Sequence, residues 1–86
     1  MTLREEIKLA ALRTLRRLDG DVLLEGHLFE MVRLHPDVGL ATVGDFGIAL
    51  SELQADGYVL GNTQPLLKQR QWGLTPKGTH AAAQLG

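Results

Sequence analysis

An 86-residue chain with 44 % apolar residues has material for one domain and one core, and is too apolar for a disordered tail. The absence of cysteine excludes disulfides, thiolate metal ligation and cysteine nucleophiles together. The net charge of −1 is unevenly spread: residues 1–20 carry +2, residues 21–61 carry −6 with Arg33 as their only base, and residues 62–86 carry +3.

The first element reads as an amphipathic helix over residues 3–18. Leu3, Ile7, Ala10, Ala11, Leu15 and Leu18 recur at three- and four-residue steps, with Arg4, Glu5, Lys8, Arg13, Arg16 and Arg17 mostly on the other side. Thr2 and Glu5 spell a capping box, and Asp19-Gly20-Asp21 stops the helix. After the apolar Val22-Leu23-Leu24, helical spacing resumes from about Glu25, with Leu28, Met31 and Val32 on one face. His35-Pro36 closes this helix, because a residue before proline is driven out of the α region. Asp37 to Ala41 reads as a connector. Thr42 then caps a third helix, with Asp45 completing the box and Phe46, Ala49, Leu50 and Leu53 as the buried stripe; Gly57 ends it. Tyr58-Val59-Leu60 and Lys68 through Leu74 have strand character, and Gly61 to Pro65 reads as the loop between them. In the second strand Arg70, Trp72 and Leu74 share a face, so Leu53, Trp72 and Leu74 are expected to be buried together. Thr75-Pro76 opens a final short helix by the N-cap and N1 rule.

The order is helix, helix, helix, strand, strand, helix. Within it, Leu50-Ser51-Glu52-Leu53-Gln54-Ala55-Asp56-Gly57-Tyr58-Val59 and Trp72-Gly73-Leu74-Thr75-Pro76-Lys77-Gly78 carry a resemblance. They resemble the L-x-x-L-x-x-x-G-[YLF]-[VIL] and [YW]-x-L-T-x-K-G segments of winged-helix transcriptional regulators of bacteria and their phages. The resemblance spans residues 1–86 in element order, and motif similarity is confined to about 50–60 and 72–78. It implies one α+β domain, mainly α: a three-helix helix-turn-helix core, a two-stranded β-hairpin wing and a short C-terminal helix. It also implies DNA as partner, transcriptional control as role, and homodimers formed through terminal helices.

No enzyme emerges from the residues. His27, His35 and His80 lack the spacing of a metal site. Ser51, the sole serine, has no nucleophile context, and Asp45-Phe46-Gly47 matches the kinase triplet without any other kinase motif. No cofactor is implied. No apolar run approaches the ~20 residues that span a bilayer, and residues 1–6 lack the apolar core of a signal peptide, so a cytoplasmic protein is expected, with no membrane partner.

Phosphate neutralisation supplies most DNA affinity, and a helix-turn-helix lays its second helix in the major groove. That helix would be residues 43–57, whose outward positions include Gly44, Asp45, Gly47, Ile48, Ser51, Glu52, Ala55 and Asp56. It carries three acids and no lysine or arginine, a departure from the family pattern. Ser51 and Gln54 are its candidate base contacts. The wing offers Lys68, Gln69, Arg70 and Gln71, and Arg13, Arg16, Arg17 and Lys77 are candidates for backbone contacts. The alternative is a protein-interaction module whose acidic third helix meets a basic partner, or whose helices pair into a homodimer.

Overall fold

The computed structural model describes residues 2–18, 21–66 and 68–85. Helix α1 spans Leu3–Arg17 and opens on the expected box: the Glu5 N–H donates to Thr2 Oγ1 at 3.2 Å and the Thr2 N–H to Glu5 Oε1 at 3.3 Å. Ile7, Ala10, Ala11 and Leu15 are buried as the spacing requires. Leu12 and Thr14 join them, the Thr14 hydroxyl donating to the Ala10 carbonyl at 2.8 Å, whereas Leu3 stays 39 % exposed. The proposed stop at Asp19-Gly20 lies outside the described residues.

Val22-Leu23-Leu24 does something its composition does not announce. Leu23–Leu24 form a short strand, β1, that pairs antiparallel with the strand carrying Trp72, Leu23 opposite Trp72 and Leu24 opposite Gln71. Helix α2, Glu25–Val32, follows without a break, burying Leu28 and Val32. It ends before the expected His35-Pro36, and Pro36–Val38 make a turn of 3-10 helix that sends Val38 into the core. Helix α3, Val43–Ala55, has the Thr42/Asp45 box and buries Phe46, Ala49, Leu50 and Leu53. Gly57, at φ +83°, turns the chain out of it.

Strands β2, Val59–Gln64, and β3, Gln69–Leu74, pair antiparallel from Val59 opposite Leu74 to Gln64 opposite Gln69. The ladder therefore runs through residues 61–64, which read as loop by composition, and the connection shrinks to residues 65–68. Lys68 closes it at φ +53°. With β1 the hairpin becomes a three-stranded sheet of order β1-β3-β2, not an isolated two-stranded wing. Helix α4, Pro76–Gln84, starts on Thr75, whose hydroxyl accepts from the Gly78 N–H at 3.0 Å. Its first turn crosses the backbone of Tyr58 so closely that a Cβ at Gly78 would lie 2.8 Å from the Tyr58 carbonyl carbon. That packing is the physical reason for a glycine after Thr75-Pro76-Lys77.

The described residues thus form an α+β fold, mainly helical, with four α-helices and one antiparallel sheet. One apolar cluster draws on all four helices, β2 and β3. Trp72 is fully buried within it, Leu53 is 3 % exposed, and Leu74 packs half-buried against the same cluster. The Trp72 indole N–H donates to Glu25 Oε1 at 2.9 Å, tying the start of α2 to β3 and giving a buried donor its acceptor.

Candidate functional site

The hairpin presents its polar residues in a row. Lys68, Gln69 and Arg70 are exposed and Gln71 half-buried, with Gln69, Arg70 and Gln71 opposite Gln64, Thr63 and Asn62. The Arg70 guanidinium carbon lies 5.6 Å from the Trp72 ring centroid, a cation–π contact that steadies a long side chain near the turn of the hairpin. Gly61 makes room for that tryptophan, since a Cβ there would meet Trp72 Cζ3 at 2.8 Å.

The third helix differs from its sequence reading in its charge. Of its three acids, two have partners. Asp45 is spent on the cap: its carboxylate accepts the Thr42 N–H at 3.1 Å, and that bond, then the Thr42 hydroxyl and the Arg4 charge, hold the carboxyl below its ordinary range. Glu52 turns toward α1, where Lys8 Nζ lies 2.9 Å from Oε1 and Arg4 Nη1 lies 3.4 Å from Oε2. Oε1 is shut off from solvent and has the Lys8 ammonium as its ionic partner. The Lys8 ammonium first, against partial desolvation, and then Arg4 lower the Glu52 carboxyl. Exposed Asp56 remains at the helix end.

With those carboxylates engaged, the outward side of α3 includes Gly44, Gly47, Ile48, Ser51 and Ala55, with Val43 exposed at its start. All but Val43 border a surface groove together with Glu52, Glu25 of α2 and Arg70 of β3. Of the two residues expected to read bases, Ser51 is exposed in this groove. Gln54 is tied down: its Oε1 accepts the Gly61 N–H at 3.1 Å, clamping α3 to β2 and leaving only its amino group to donate. A two-point contact to adenine therefore needs that clamp to open.

The remaining candidates scatter. Arg13, Arg16 and Arg17 are exposed on the outward side of α1. Lys77 is differently employed: Nζ donates to the Asp56 carbonyl at 2.7 Å and sits 4.7 Å from the Tyr58 ring centroid. It caps the C-terminus of α3, where a cation suits the helix dipole. Sequence reasoning missed Arg4 and Lys8 as the groups that neutralise Glu52, because the pairs join positions more than forty residues apart. Ile48, which it placed among the outward positions without naming it as a contact, is 47 % exposed on the α3 face.

Among the described residues no group of three or more His, Cys, Asp or Glu is arranged to hold a metal ion, and no helix is long and apolar enough to cross a membrane. Comparison with protein-family models, with curated proteins and with solved structures found no match to this chain.

Proposed function

We propose that the chain is a winged-helix DNA-binding domain with a role in transcriptional control, a binding module and not an enzyme, meeting DNA through the β2–β3 hairpin and the outward face of α3. The observation that carries this reading is the groove in which Arg70 lies alongside the exposed face of α3 while Asp45 and Glu52 are bonded elsewhere. The Glu52 carboxylate, paired with Arg4 and Lys8, repels phosphate less than a free one, and the small residues of α3 let its backbone approach a groove wall. Lys68 in the hairpin turn and Arg70, opposite Thr63 in the second pair from it, supply cations on the same element. The element order, with a short strand between the first two helices and a sheet ordered β1-β3-β2, is compatible with the winged-helix resemblance.

The test is amide chemical-shift mapping of the labelled protein during titration with a mixed-sequence duplex at low salt. Shifts concentrated at Lys68–Gln71 and along Gly44–Ala55 are expected. Shifts centred on α1 and α4, or none at all, would overturn the assignment.

A second reading, a homodimer or protein-interaction module, draws on a different surface. Leu9 and Leu12 of α1, Tyr58, and Ala81 and Leu85 border a shallow groove between the first and last helices. Sedimentation equilibrium decides this reading: a concentration-dependent dimer that Leu9→Asp dissociates supports it, and a monomer throughout removes it as a homodimer.

A further inference from the structure

We infer that α3 recognises thymine through its 5-methyl group, with Ile48 as the contacting side chain; the inference rests on the DNA-binding reading above. Each base edge in the major groove demands a particular chemistry, and α3 can supply little of it. Guanine is read by the paired donors of arginine or lysine, and α3 has neither. Adenine is read by a free carboxamide, and the only one on α3, Gln54, has its carbonyl bonded to the Gly61 N–H. Cytosine is read by a carboxylate; those of Asp45 and Glu52 are held by Thr42 and by Lys8 with Arg4, and Asp56 sits at the C-terminal cap, outside the residues that border the groove.

What α3 does offer is aliphatic. Ile48 is 47 % exposed, and its neighbours on the groove are Gly44, Gly47, Ser51 and Ala55, so it is the tallest side chain of that face. An exposed isoleucine in a ring of small residues matches a methyl group projecting from a groove floor. Ser51, one turn further along, has a hydroxyl able to donate to the neighbouring O4 acceptor of thymine. The cations for a phosphate backbone come from the hairpin: Arg70 borders the groove, facing Glu25 and the ion-paired Glu52, and Lys68 lies two residues before it, outside the groove.

The experiment first enriches bound duplexes from a randomised pool at low salt. The enriched duplex is then compared with a copy in which every thymine is replaced by deoxyuridine, which differs only in lacking the methyl. Burial of one such carbon is worth ~0.8 kcal/mol, so each contacted methyl removed should weaken binding about fourfold at 1.4 kcal/mol per decade. Ile48→Ala should bind the thymine and uracil duplexes alike. Its side chain is half exposed, and thermal unfolding checks that the variant is folded. Equal affinity of the wild type for both duplexes, with binding that still falls with salt, overturns the thymine inference and leaves the DNA-binding reading intact. The same holds if the enriched sites are anchored on guanine. No duplex retained at any salt concentration overturns both.

Discussion

Two glycines on helices make opposite predictions for the same substitution. Gly78 lies in the first turn of α4, where an added Cβ would meet the Tyr58 carbonyl carbon at 2.8 Å. Carbon atoms pack at about 3.5–4.0 Å, and the Tyr58 carbonyl oxygen stands nearer still than that carbon, so α4 must retreat by more than about 1 Å. No side-chain rotation relieves this, because the obstacle is backbone. The retreat strains the Thr75 N–H bond to the Tyr58 carbonyl, 3.1 Å long, and loosens Ala82 from the core. Overpacking costs about 1–3 kcal/mol and a strained hydrogen bond about 1 more, against at most about 1 regained from alanine's helix propensity. Gly78→Ala should therefore lose about 2 kcal/mol net, a fall in Tm of roughly 8–16 °C for a domain of this size. Gly47, in the middle of α3, has nothing within 4 Å of its would-be Cβ. Gly47→Ala should instead gain about 0.5–1 kcal/mol and raise Tm by a few degrees. Thermal unfolding followed by circular dichroism reads both variants. A Gly78→Ala protein as stable as wild type would refute the seating of α4 on the Tyr58 backbone.

Two further variants probe the polar links. Glu25→Ala strands the indole N–H of buried Trp72 and should cost about 1–3 kcal/mol in urea unfolding monitored by the fluorescence of this sole tryptophan, with Glu25→Gln milder because an acceptor remains. An unchanged midpoint for Glu25→Ala would mean that the bond contributes nothing to stability. Glu52 has its carboxyl lowered by Lys8 and then Arg4, so the stabilisation it brings is complete above its ordinary 4.5 and is lost as pH falls through the lower folded value. Wild type should thus be more stable than Glu52→Gln at pH 7, and the two should converge in acid; a gap that persists at low pH would contradict the ion pair.

Local chemistry is legible in the sequence, and distant chemistry is not. Thr2 and Thr42 announce their capping boxes because a cap needs only residues three apart, and Phe46, Ala49, Leu50 and Leu53 announce a buried stripe because helical spacing is local. Strand β1 has no such signal: two leucines beside a helix start become a strand only because β3 offers an edge. Gly61-Asn62-Thr63-Gln64 reads as loop on propensity, and pairing with Gln69–Trp72 overrides it. At the candidate site, the exposed row at Lys68–Arg70 can be read from its polar side chains beside turn residues, although alternation puts Arg70 on the face of buried Trp72. The charge state of the α3 face cannot, because Arg4 and Lys8 meet Glu52 only after α1 and α3 pack. Lys77 likewise looks free until the fold brings the Asp56 carbonyl to it.

The central claim is that the hairpin cations bind the phosphates of duplex DNA. It is tested most directly by measuring affinity for one duplex across a salt series, with wild type beside the Lys68→Ala/Arg70→Ala variant. Wild type should bind at low salt and weaken linearly in log–log form. The double variant, still folded, should bind more weakly with a slope shallower by about 1.8, at about 0.9 for each phosphate no longer neutralised. A folded double variant with the same affinity and slope, or a wild type that binds no duplex even at low salt, would contradict it.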